Sequence, residues 1–126
     1  MDFEIEVGVI GSMEIVVSKE LTAVKYGSGL IEVFATPAMI SIMESTAHTS
    51  VQKYLPDGFI TLGIEVNIKH LKATPVGMKV NCESKLINVG GRKLTFEVNA
   101  YDEKGLIGTG LHVRFIVETK KFMDKL

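Results

Sequence analysis

Thr36, Glu44 and His70 are residues whose types and spacing could together do chemistry. If 37–55 is a helix, steps of about 100° per residue put Glu44 on one stripe with Ile40, Ala47, Val51 and Leu55, the face that a helix buries. A carboxylate there must take up a proton, find a partner, or line a pocket that substrate and water can enter. Thr36 stands at the helix start, followed by Pro37. A threonine hydroxyl can cap free backbone N–H groups, and proline in the first turn loses nothing by lacking one. Thr36 lies about 12 Å from Glu44 along a helix axis, so the two side chains do not touch, yet a substrate carbonyl or a water fits between them. The free N–H groups and positive dipole end at 36–39 favour negative charge at the same place. These parts suit acyl chemistry. Attack on an ester or thioester creates an oxyanion that such donors stabilise, while a carboxylate can act as general base and an imidazole can polarise the carbonyl or relay a proton.

Each residue also has a plainer reading. Thr36 could be a helix cap and nothing more, Glu44 an exposed or ion-paired residue, and His70 a hydrogen-bonded strand histidine. His48, one turn beyond Glu44, could be the carboxylate's partner or a second metal ligand, but two helical ligands fall short of the usual three, so no metal is expected. His112 and Arg114 have the parity of the opposite sheet face, which predicts surface or subunit-interface positions. Met39 and Met43 read as core or interface filling, and Cys82 as a small core-side residue.

The 126 residues, 46% of them hydrophobic, are enough for one core, so 1–126 is read as a single domain. The balance of 14 Lys+Arg against 15 Asp+Glu gives no electrostatic footprint for nucleic acid or an anionic membrane. Residues 1–9 alternate acidic Asp2, Glu4 and Glu6 with apolar Phe3, Ile5 and Val7, the pattern of neither a signal peptide nor a membrane span, and a cytoplasmic location is expected. A lone cysteine excludes an internal disulfide and a multi-cysteine zinc site.

Period-two alternation dominates the chain. A short β-branched run at 13–17 and a connection at 21–30 precede the helix; 59–71, 77–89, 92–101 and 106–118 read as four long strands joined by turns. Alternation assigns Leu62, Ile64, Val66, Ile68 and His70 to one apolar side. It gives matching stripes to Val80, Cys82 and Leu86, to Leu94, Phe96, Val98 and Ala100, and to Leu111, Val113, Phe115 and Val117. The helix is the sizeable element available to cover that face. The expected fold is therefore α+β, a curved antiparallel sheet wrapped around one central helix, with Glu44 and His70 pointing into the same space. Open strand edges, with Met39 and Ile42 away from the Glu44 stripe, leave surface for a second subunit, so a dimer is expected.

Several segments together resemble the hotdog-fold thioesterases related to fluoroacetyl-CoA thioesterase. They are Val33-Phe34-Ala35-Thr36, Glu44, Gly63, His70, Ala73-Thr74-Pro75, Gly91-Arg92-Lys93-Leu94 and Ile107-Gly108-Thr109-Gly110-Leu111-His112. The resemblance spans most of the chain. It implies a hotdog fold, a homodimer or dimer of dimers with the active site at the subunit interface, and hydrolysis of an acyl-CoA, coenzyme A entering as part of the substrate and no cofactor being needed. Thr36, Glu44 and His70 match the family's catalytic positions: Thr36 as nucleophile or holder of the attacking water, Glu44 as general base, His70 as an aid to proton transfer or carbonyl polarisation. The resemblance further implies that the Gly63 N–H holds the thioester carbonyl and that Arg92 and Arg114 contact the CoA phosphates. Fluoroacetyl-specific members carry aromatic lid residues ahead of the helix, whereas Gly27-Ser28-Gly29-Leu30 has none, which implies a different short or branched acyl group. Two further classes are compatible with these residues: a hotdog hydratase or dehydratase, which has no evident need of a threonine at the helix start, and a non-catalytic acyl-CoA-binding module.

Overall fold

A long helix, α2 (Thr36–Gln52), packs on a five-stranded antiparallel sheet of β1 (Ile10–Val16), β2 (Phe59–His70), β3 (Lys79–Gly90), β4 (Lys93–Asp102) and β5 (Gly105–Glu118), ordered β1-β3-β4-β5-β2. The computed structural model describes residues 3–126. Met1 and Asp2 of the opening alternation lie outside the described residues, and 3–9 form no strand. The connection before the helix holds a 3-10 turn (Lys19–Leu21) and a short helix, α1 (Ala23–Tyr26). The charged tail forms an exposed helix, α3 (Thr119–Asp124).

The helix buries Ala38, Met39, Met43, Thr46, Ala47 and Val51, a stripe rotated from the expected one. Glu44 lies on its flank, with a 41% exposed side chain, and Ile40 and Leu55 are only half-buried. Met39, at 0% exposure, is filled in by its own chain and offers nothing to a second subunit. Its sulfur sits so close to β5 that a Cβ on Gly108 would come within 2.5 Å of it. Opposite the helix, Val80, Cys82 and Leu86 of β3 and Leu94, Phe96, Val98 and Ala100 of β4 are buried as their alternation predicts.

The two strands nearest the candidate residues depart from the expected stripes: in β2 a bulge breaks the parity, and in β5 the run 108–118, which follows a bulge, alternates evenly but with its polar side inward. Gly63 pairs with Arg114 but Glu65 with Val113, so Ile64 is an extra residue in β2. Ala100 pairs with Gly108 but Tyr101 with Leu106, so Ile107 is an extra residue in β5. One inserted residue exchanges the faces of all that follows. Thr61, rather than Leu62, is buried under the helix, and Ile64 is exposed. On β5 the helix-facing side carries His112, Arg114 and Ile116, while Leu111 and Phe115 face out. The expectation that His112 and Arg114 lie on the surface is therefore overturned: they are 1% and 6% exposed.

Candidate active site

The candidate groups gather in two clusters along the groove between α2 and β2. The first lies at the helix start. Ala35 is the N-cap residue and provides no side-chain cap; Thr36 is already helical, with Pro37 behind it. The Thr36 hydroxyl turns instead to His70 at the end of β2, sharing a hydrogen bond of 2.7 Å with Nδ1. Burial lowers the His70 pKa, with the Lys72 backbone pulling the other way, so the ring is neutral at pH 7 and Nδ1 can take the hydroxyl proton. The other ring nitrogen, Nε2, is buried with no hydrogen-bond partner among the described residues. A cavity of about 290 Å³ opens beside the pair, lined by Ala23, Ser28, Val33, Phe34, Leu71 and Lys72 among others.

The second cluster surrounds Glu44. Its carboxylate lies 3.4 Å from Nη1 of Arg114 and 3.9 Å from Nε2 of His112. The guanidinium is held from below: Nε donates to the Thr61 hydroxyl at 2.8 Å, Nη2 to the Thr61 carbonyl at 2.9 Å, and Nη1 to His112 Nε2 at 3.1 Å. Such holding is required, because an ion taken from water without partners costs several kcal/mol. Gly63 completes the cluster, since a Cβ there would lie 2.5 Å from Glu44 Oε2 and 3.1 Å from the His112 ring. His48 and Arg114 line a second cavity of about 300 Å³ with Thr49, Gln52, Ile60 and Thr61. Burial and the Arg114 charge lower the His48 pKa, opposed by Glu44.

Thus the structure brings Thr36 to His70, and Glu44 to Gly63 and Arg114, but it does not bring Glu44 to His70 within one chain. Arg92 stands apart, 5.6 Å and 5.9 Å from the Phe3 and Phe59 ring centres, lining a groove with Lys121 and Lys125. His112 was missed as a site residue. The signal that could have found it is the pair itself, two strongly polar residues at alternate positions of a strand whose neighbours are apolar. Among the described residues no group of three His, Cys, Asp or Glu is arranged to hold a metal, and no helix is long and apolar enough to cross a membrane.

Comparison with known proteins agrees with the fold. Residues 17–120 match the model of the fluoroacetyl-CoA-specific thioesterase family. The fluoroacetyl-CoA thioesterase of Streptantibioticus cattleyicolor is 37% identical over 95 residues, 75% of this chain and 68% of the relative. A solved structure of a fluoroacetyl-CoA thioesterase superposes with a TM-score of 0.91 at 32% identity, covering 96% of this chain and 94% of that one. A variant of it in complex with fluoroacetate and CoA gives 0.89 at 32% identity, covering 94% and 99%. A thioesterase superfamily member from Thermus thermophilus gives 0.88 at 28% identity, covering 96% and 90%. With a hydroxyl–imidazole pair at the helix start, a carboxylate further along the same groove and this match over most of its length, the chain belongs to the fluoroacetyl-CoA-specific thioesterase family of hotdog thioester hydrolases.

Proposed function

We propose that this thioesterase hydrolyses a short acyl-CoA at a site shared by two copies of the chain, with Thr36 and His70 from one copy and Glu44 from the other. The observation that carries the chemistry is the 2.7 Å contact between the Thr36 hydroxyl and a neutral His70. The Thr36 oxygen attacks the thioester carbon as its proton passes to His70 Nδ1; the C–S bond breaks and the departing thiolate of CoA takes that proton. Water then attacks the threonine ester, giving a proton to Glu44; the acyl–oxygen bond breaks, Glu44 returns that proton to the Thr36 oxygen, and the acid is released.

Sharing between copies follows from distance. Thr36 and Glu44 are about 12 Å apart along the helix, and Gly63 and His70 about 20 Å along β2, too far for one thioester carbon to reach both clusters. The sheet ends on β2, whose outer edge is unpaired among the described residues and carries exposed Ile64 and Val66. A second β2 added antiparallel, with the two-fold axis at Asn67, sets Gly63 of one copy opposite His70 of the other, the extra residue Ile64 being counted out, and joins the clusters. The orphan Nε2 of His70 then has a carboxylate or the substrate carbonyl within reach, and the Gly63 N–H is a candidate donor to that carbonyl. Arg92, beside Lys121 and Lys125 in a groove of about 390 Å³, is the candidate for the CoA phosphates. Arg114 is buried with most of its donors occupied, so its part is to hold Glu44. Acyl-CoA is an intracellular substrate, which fits a cytoplasmic location.

Mixing tests this arrangement. Thr36→Ala and Glu44→Gln each lower kcat by about 10²- to 10⁴-fold on a panel of short acyl-CoAs. Co-expressed in equal amounts, the two inactive chains regain about a quarter of wild-type activity, because half the dimers are mixed and each of those has one complete site. No recovery would return the site to a single chain. Full activity in either single variant would remove that residue from it.

A further inference from the structure

We propose that His112 is a positioning residue of this site: it accepts one of the two Nη1 hydrogens of Arg114, draws the guanidinium back from Glu44, and so keeps the carboxylate loosely paired and free to act as a base. The proposal rests on the reading of Glu44 as that base.

The hydrogen bonds fix the state of the ring. His112 Nδ1 lies 2.8 Å from the Glu65 carbonyl oxygen, which cannot donate, so Nδ1 carries the hydrogen. Nε2 lies 3.1 Å from Arg114 Nη1, which cannot accept, so Nε2 is bare. The imidazole is neutral and both its nitrogens are committed. Burial lowers its pKa, the Glu65 carbonyl opposes this, Arg114 lowers it further and Glu44 opposes. Every neighbouring element takes part. The β2 strand supplies Glu65 and the bare Cα of Gly63; β4 supplies Phe96, stacked at 6.4 Å; β5 supplies Arg114; and α2 supplies Glu44, with His48 near Arg114.

The distances tell which contact wins. A free guanidinium and carboxylate close to about 2.7–2.9 Å and often pair through two hydrogen bonds. Here Nη1 stays 3.4 Å from Glu44 and sits closer to His112, while Thr61 holds Nε and Nη2. Without the imidazole acceptor, Nη1 has only Glu44 to satisfy it. The pair tightens, and the carboxylate takes a proton from water less readily.

A double-mutant cycle on the full-length enzyme tests this. His112→Phe keeps a ring against Phe96; its expected effect is a fall in kcat of about 10²-fold with KM nearly unchanged. In an Arg114→Met background the same substitution causes no further fall, whereas a general packing defect lowers kcat equally in both backgrounds. His112→Gln, whose amide can both donate and accept, recovers part of the loss. Unchanged kcat in His112→Phe, or the same loss with and without Arg114, overturns the proposal. Should the phenylalanine variant not fold, nitrogen NMR of the wild-type ring decides: Nδ1–H with bare Nε2 between pH 8 and 6 is expected, and the opposite tautomer overturns it. Glu44→Gln keeps the two readings apart. Full activity there removes the base and this proposal with it, whereas a dead Glu44→Gln beside a fully active His112→Phe removes only the role of His112.

Discussion

Thr36 gives up the usual task of a threonine at a helix start. A Ser, Thr, Asp or Asn in the N-cap position is worth about 1 kcal/mol over alanine. The cap here is Ala35, while the next residue's hydroxyl is spent on His70. That misplacement separates a threonine free to meet a substrate from a capping one, and no local pattern in the sequence could decide it. Helical spacing singled out Glu44 but placed it on the buried stripe, whereas it lies on the flank, and its neighbours were not legible. They come from β2 and β5, brought near only by strand pairing. Gly63 tests how closely the carboxylate must sit. In Gly63→Ala the new methyl would lie 2.5 Å from Glu44 Oε2, so the side chain must move, and kcat is expected to fall about 10²-fold while the melting temperature changes little. Wild-type turnover in that variant, assayed on the best short acyl-CoA, would mean that the position of Glu44 is unimportant.

At the scale of elements, strands were easier to find than to orient. The stripes of β3 and β4 came out as alternation predicts, because apolar side chains mark the buried face and the β3 bulge is at Ile87, beyond Leu86. On β5, alternation found the two faces but reversed them: the outward side carries Leu111, Val113, Phe115 and Val117, and the inward side carries glycines, a histidine, an arginine and Ile116. Hydrophobicity points the wrong way wherever a polar network replaces part of the core. The extra residues Ile64 and Ile107 look like any other β-branched strand residue, so the bulges left no mark to read. An open strand edge was foreseeable, but not that β2 forms it, because strand order leaves no local mark. Val66, 46% exposed and next to the proposed two-fold axis, is the position at which a charge should do most harm. Val66→Lys is expected to sediment as a monomer, keep its far-ultraviolet circular dichroism, and lose at least about tenfold in activity. An active monomer would contradict the shared site.

For the whole molecule, acid is the expected weakness. All three histidines, His48, His70 and His112, have pKa values lowered in the fold, burial being the first cause for each. The unfolded chain therefore binds protons more readily near pH 6.5 than the folded one does. Stability is complete above that pH and declines as the pH drops through the folded-state values. Asp102, pushed up by burial but held low overall by the Lys104 N–H, the Thr74 hydroxyl and Lys72, adds its own loss only further down, in the carboxylate range. Urea unfolding at pH 7.5 and 5.5 should give a lower midpoint in acid; equal midpoints would show that the histidines are not held neutral. The sulfur chemistry of the chain is simpler. Cys82, its sole thiol, is sealed in the core at 0% exposure with its pKa raised by burial. Thiol-directed oxidants and alkylating probes find no thiol within reach, so neither glutathione exchange nor disulfide cross-linking has a handle on this enzyme while it stays folded.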